Sequence, residues 1–193
     1  MKNVLALIIF LLVTFTFIEW NIAKTPTSQV EKVNFGPFKN QVKWGEHLVT
    51  VSACLDCHCP KDYSKPGTGL DSVHFLAGYI GSPMPDVNRR DLQDKNLAVT
   101  GDQTLWMGPW GVTFSSNLTS DSATGIGAWT EDRFMYAIRN GKYNGRASDR
   151  SLLPTMPWQM YRNMTDDELK AIFAYLKTTK PIKNKVPPPM PRL

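Results

Sequence analysis

Six residues, "CLDCHC" at positions 54–59, constrain this chain more than any other stretch. They hold all three of its cysteines and one of its three histidines. A structural zinc site needs four ligands, usually drawn from two separated pairs. Here the remaining histidines are His47 and His74, and there is no second cysteine pair. Four ligands from one hexapeptide would strain the backbone badly. C-x-x-C-H, by contrast, is complete as it stands. Two thiols with two residues between them reach the two vinyl groups along one porphyrin edge, and the next histidine lies over the ring as an axial ligand. On this reading Cys54 and Cys57 form thioethers to one covalent haem c, and His58 is the proximal iron ligand. Leu55 and Asp56 are spacers, the first facing a partner and the second facing solvent. Cys59 is left over; it reads as a small buried residue beside the cofactor, with a redox-sensitive thiol as the functional alternative.

The amino end supplies the compartment such chemistry needs. Lys2 precedes sixteen uncharged residues, Asn3 to Ile18, which is the pattern of an export signal. The run is short for a spanning helix of about 20 residues, but Trp20, Ile22 and Ala23 extend it, and Asn21-Ile22-Ala23 is a poor cleavage site. The favoured reading is an uncleaved transmembrane anchor over residues 1–23, with Lys2 on the cytoplasmic side. Cleavage, leaving a soluble periplasmic protein, is the alternative. Either way the rest of the chain is exported.

Residues 24–40 are polar, with proline and glycine, and read as a linker. A domain follows over 41–188, and 189–193 form an extended tail. At 193 residues the chain suits a single domain with a real core. Its +5 formal charge is spread along the sequence without a basic stripe, which argues against nucleic acid as a partner. In "QVKWGEHLVTVSA" (41–53), Val42, Trp44, Leu48 and Val51 recur at roughly helical spacing, and the helix is expected to run directly into Cys54. Gly45 within it marks a close helix contact, because glycine costs about 1 kcal/mol there relative to alanine. Residues 60–128 are rich in turn formers; "LAVT" and "WGVTFSSNL" suggest a small hairpin or meander. A stretch this long without regular structure is uncommon unless it wraps something. Two more helices close the chain. One begins at Thr130 and stops at Gly141. The other begins with a capping box, Thr165 to Glu168, and ends at Pro181, with Met164 and Leu169 placed as a hydrophobic staple.

Three blocks resemble the monohaem, class I-type bacterial cytochromes c over about residues 42–188: "GEHLVTVSACLDCHCP", "GVTFSSNLTSDSATGIGAWTEDRFMYAIRNGK" and "LLPTMPWQMYRNMTDDELKAIFAYLKTTKPIKNKVP". Thr155, Cys59 and His47 depart from that family's common residues. The resemblance implies a mainly α, haem-wrapping fold with a long irregular insert and an amino-terminal hydrophobic helix. In it the first helix crosses the last, with Gly45 facing an aromatic such as Tyr175. Trp129 and Trp158 then fall near the porphyrin or in plain core, while Arg139 and Asn117 become candidates for its propionates.

The implied function is single-electron transfer in an exported respiratory chain, by a carrier or a subunit of an oxidoreductase complex and not by an enzyme in its own right. Redox partners would be a membrane oxidoreductase or terminal oxidase. The rival is a haem-based sensor or peroxidase-like protein whose sixth position opens. The distal ligand separates them. Proline flanks stiffen the loops around Met84 and Met156, and Met160 lies close by. Met156 precedes the capped terminal helix and falls in the segment that resembles the family's ligand loop, so it is the expected ligand.

Overall fold

Asn40 opens the first helix: its side-chain oxygen accepts the Lys43 N–H at 3.0 Å, satisfying one of the orphan amides of the first turn. This helix, α1 (Gln41–Val51), buries Gly45, Leu48 and Val49 along one face. A computed structural model describes residues 33–64, 66–67, 69–92 and 96–193, so the expected amino-terminal anchor and most of the linker lie outside the described residues. Among the described residues, no helix is long and apolar enough to cross a membrane.

The helix does not run on into the cysteine motif as the periodicity suggests. Ala53 takes a left-handed backbone conformation, φ 58°, and a separate short helix, α2 (Cys54–His58), starts after it. Left-handed backbone is uncommon for a residue with a Cβ, so the surrounding packing must impose it here.

Between α2 and the later helices the chain is mostly irregular, with one antiparallel meander. Its strands are β1 (Ala98–Val99), β2 (Leu105–Gly108) and β3 (Gly111–Phe114), in that spatial order. Val99 pairs with Trp106, and Leu105 with Phe114. The two outer strands fall in the stretches expected to be extended. The central one, "LWMG", lies outside them, and it separates strands that a simple hairpin would join. Leu92, Leu105, Met107, Val112 and Phe114 make a small core of their own. The carboxy-terminal tail joins this core, since Met190 and Val112 exchange two backbone hydrogen bonds at 2.9 Å.

The remaining helices are α3 (Glu131–Asn140), α4 (Trp158–Tyr161) and α5 (Asp166–Leu176). Thr130 caps α3 through Arg133 N–H, and Gly141 ends it at φ 61°. The capping box of α5 is formed: Thr165 Oγ1 accepts Glu168 N–H at 3.2 Å, and Glu168 Oε2 accepts Thr165 N–H at 2.7 Å. Helix α5 buries Leu169, Ala171, Ile172, Phe173 and Leu176. It crosses α1 at Gly45, where a Cβ would lie 1.9 Å from Ala171 O and 2.9 Å from Tyr175 Cβ. Only glycine permits that approach. Phe134 of α3 packs on Phe173 at 5.4 Å between ring centroids, so three helices share one core. The domain is mainly helical, with a single small sheet.

Candidate haem site

A cavity of about 900 Å³ opens beside this helical core. Small-molecule and cofactor sites commonly run from about 300 to 1,000 Å³, so it has room for a large prosthetic group. Cys54, Cys57 and His58 all line it. One turn of α2 puts the two sulfurs on the same face, as residues three apart on a helix are neighbours.

His58 is fixed from two directions. Its Nδ1–H donates to the Ser116 carbonyl at 2.8 Å, and its own carbonyl accepts the Gly78 N–H at 2.9 Å. A carbonyl can only accept, so Nδ1 carries the proton and Nε2 keeps a free lone pair, the tautomer a metal-ligating imidazole needs. Burial lowers the imidazole pKa, against a smaller opposing effect of the Ser116 bond, and the ring is held neutral. Burial likewise pushes the Cys54 thiol up to about 12 and raises that of Cys57.

Ser116 reaches His58 because Gly78 lets two backbones meet. Gly78 has φ 72°, and a Cβ there would stand 2.3 Å from Ser115 O and 2.6 Å from Ser116 O. The irregular belt thus positions the histidine.

Of the candidate methionines, Met156 lines the cavity and packs against the helical core. Met160 is 72% exposed and Met84 41% exposed, and neither borders the cavity. Met107 is buried in the meander core. The Met156 loop is braced: Leu152 N–H donates to Gly141 O at 2.7 Å, and Trp158 N–H to Met156 O at 2.8 Å. Tyr161 Oη, on α4, donates to Ser52 O at 2.5 Å, which ties this loop's far end to the junction between α1 and α2.

Several softer expectations are redistributed. Trp129 borders the cavity, whereas Trp158 lies against Gly141, where a Cβ would be 2.3 Å from its ring. Arg139 binds the Arg162 carbonyl and the Asp166 carboxylate, the latter at 2.7 Å, and so clamps α3 to α5. Asn117 borders the cavity, but its side chain is occupied: Oδ1 accepts Thr119 N–H at 2.9 Å, and Nδ2 donates to Ile182 O at 2.8 Å. Leu55 is half-buried and packs against the helical core, while Asp56 is exposed. Cys59 is fully buried, with its Sγ 3.7 Å from Asp71 O. His47 is exposed and stacks on Phe38 at 4.7 Å.

The structure also brings in residues that sequence reasoning misses. Arg133, Lys142, Arg150 and Lys185 line the cavity, with Asp56 as the lone carboxylate among its described lining residues. Arg133 sits 4.4 Å over the Trp129 ring, and Arg150 3.9 Å over that of Tyr143. The Trp129–Arg133 spacing of four residues is a readable helix-start signal. Nothing local points to Arg150. The meander contributes Gln103 and Trp106, whose indole N–H donates to Gln103 O at 2.8 Å.

Large volume, apolar walls, a neutral imidazole and a cationic lining fit a group that is flat, apolar and anionic at its edge, which is the description of haem. These features fit the site of a c-type haem protein. No family model matches the chain. Among curated proteins, it is 36% identical to the fructose dehydrogenase cytochrome subunit of Gluconobacter japonicus over 164 residues, 84% of this chain and 26% of that protein. It is 30% identical over 135 residues to the gluconate 2-dehydrogenase cytochrome c subunit of Pantoea cypripedii, 69% of this chain and 22% of that one. The cytochrome c subunit of the quinone alcohol dehydrogenase of Gluconobacter oxydans matches over 149 residues at 26% identity, 76% of this chain and 23% of that one. Over most of its length this chain is similar to cytochrome c subunits of bacterial dehydrogenases. It spans about a quarter of the length of these relatives.

Proposed function

We propose that this chain is a single-electron carrier subunit of an exported dehydrogenase system, holding one covalent haem c through Cys54 and Cys57 with His58 and Met156 as axial ligands. The observation that carries the reading is that these four residues line one cavity of cofactor size. When bound, haem c supplies a one-electron couple between ferric and ferrous iron. The chain's residues do the rest. Ser116 orients His58, the braced 152–158 loop presents Met156, and the core side chains of α3 and α5 exclude water. Arg133, Lys142, Arg150 and Lys185, which line the cavity, would complement the propionate carboxylates of such a group.

With His58 and Met156 both holding the iron, no position would be left for a substrate, so the chain would pass electrons and not itself oxidise a substrate. Its donor is a dehydrogenase subunit, a reading supported by the names of its relatives. Its acceptor is a membrane oxidoreductase or terminal oxidase. The sensor or peroxidase-like alternative is not favoured: the relatives are named as cytochrome subunits of dehydrogenases, and Met156 among the lining residues offers a second ligand. We place the haem domain, 41–188, on the outer face of the cell membrane, linked through 24–40 to an anchor at 1–23. The anchored protein should resist carbonate and require detergent; a mature amino terminus near Lys24 would show a soluble periplasmic protein instead.

The test is spectroscopic. Haem should survive acid–acetone extraction, Cys54→Ala and Cys57→Ala should each leave at most one thioether, and Cys59→Ser should retain both. Met156→Ala should lose the sulfur–iron charge-transfer band, lower the reduction potential and admit carbon monoxide, while Met84→Ala and Met160→Ala should do none of these. A Met156→Ala protein with native spectrum and potential sinks the ligand assignment.

A further inference from the structure

Helix α2 is only one turn and a half long, so most of its carbonyls have no partner within the helix. Lys61 supplies one. Its Nζ donates to Leu55 O at 3.0 Å, to Asp56 O at 2.8 Å and to Cys59 O at 2.8 Å. Three acceptors match the three protons of an ammonium group one for one, and hydrogen bonds from an ionised donor are about twice as strong as neutral ones. The base of this side chain is also fixed. Lys61 pairs with Leu70 in an isolated antiparallel bridge, flanked by Asp62 N–H to Gly69 O at 2.6 Å and Asp71 N–H to Pro60 O at 2.9 Å. Among the described residues Lys61 makes no ion pair.

We propose that Lys61 is a positioning residue for the haem-binding turn: its ammonium clamps the carbonyl end of α2, and the same fixed positive charge raises the reduction potential of the haem held by His58. The inference rests on the site reading above. Ferric iron differs from ferrous by one electron, hence by one positive charge, and no proton is involved. A cation held beside the ligand-bearing turn disfavours the ferric state, and net charge around a centre is one of the levers that set its potential. Lys61 is half-buried, so salt screens its charge only in part.

The experiment is a spectroelectrochemical titration of the intact holoprotein and three variants, with covalent haem measured in parallel. Lys61→Gln and Lys61→Met remove the charge; Lys61→Arg keeps it, with N–H donors that can still meet the carbonyls of the turn. The neutral variants should titrate at a lower potential with the native low-spin spectrum, and Lys61→Arg should stay near the unsubstituted protein. A merely structural lysine would not make the potential follow charge. If the neutral variants fail to retain haem while Lys61→Arg does, the clamp is supported directly. Neutral variants with native potential and full haem overturn the proposal, as does loss of haem in all three. Haem extracted from the unsubstituted protein by acid–acetone overturns the site reading instead, a result separable from either.

Discussion

The helical core and the belt between α2 and α3 grip the site in different ways. The helices hold by packing: α1 and α5 meet at Gly45, and Leu48, Val49, Leu169, Ile172 and Phe173 fill the space around the crossing. The belt holds by backbone contact, through the Ser116 carbonyl on His58, Gly78 N–H on the His58 carbonyl and a small separate core under the meander. Packing of this kind is shared among many side chains and tolerates substitutions at its margins. A backbone contact at a single glycine does not. The difference separates changes that unfold the domain from changes that leave it folded with a misplaced histidine.

Gly45→Val should have the largest effect. Its Cβ would lie 1.9 Å from Ala171 O, which is backbone and cannot rotate away. Overpacking costs about 1–3 kcal/mol in ordinary cores, occasionally more; a clash between two helix backbones belongs at or above the top of that range. Thermal unfolding should show a large drop in midpoint, and little holoprotein should accumulate. A stable Gly45→Val protein would mean that the crossing lies elsewhere.

Gly78→Ala should cost less stability, about 1–3 kcal/mol from strain at positive φ and local overpacking, yet do more selective damage. The helical core should survive, seen as a cooperative melt and native far-ultraviolet dichroism, while the Ser115–Ser116 segment is pushed from His58. The expected signature is a lowered potential and weakened low-spin spectrum in a folded protein. If Gly45→Val and Gly78→Ala behave alike, the two regions are not separable.

What is legible in the sequence follows the same division. The capping box at Thr165–Glu168, the Thr130 start and Gly141 stop of α3, and the C-x-x-C-H run are local patterns, and each is readable within a dozen residues. The Gly45 crossing is half-legible: an out-of-place glycine announces a close contact but not that Ala171 O is the nearest atom. The break at Ala53 is invisible, because nothing in "TVSAC" forbids a continuous helix and tertiary packing imposes the left-handed turn. Strand β2 is four residues long, too short for alternation to register. The Ser116 carbonyl lies 58 residues from His58, and a carbonyl has no residue-type signature. Cationic residues around the cavity are spread over α3, the 142–150 loop and the segment after α5, so only the fold can gather them.

Thr165→Ala tests the margin of the helical region. It removes the hydroxyl that accepts Glu168 N–H, though Glu168 can still reach the Thr165 backbone position. The loss should be about 1 kcal/mol, visible as a shift of a few degrees in a domain of this size. Haem attachment and potential should be unchanged, since α5 is held along its whole buried face. A change in potential would mean that fraying of α5 reaches the Met156 loop.

The smallest effect is expected in the belt, and it depends on pH. Burial by itself pushes the Asp102 carboxyl up, but hydrogen bonds from Ser82, Thr100 and Thr104 outweigh it and leave the group below its ordinary range. Thr104 Oγ1 donates to it at 2.9 Å and Thr104 N–H at 3.3 Å, with Ser82 Oγ as a further donor. A carboxyl depressed in the folded state binds fewer protons there than in the unfolded chain, so its contribution is present in full above the unfolded value near 3.8. It is lost as pH falls through the lower folded value. Between pH 7 and 5 the belt should therefore show almost no change, with loosening only below about pH 4. Hydrogen exchange at the amides of β1 and β2, followed from pH 6 down to pH 3, reads this directly. Asp102→Asn should raise exchange at pH 6 and flatten its dependence on pH, with α5 exchanging as before. If α5 loosens together with the meander, the belt and the helical core melt as one unit, and the separation inferred from Gly45 and Gly78 fails in the same experiment.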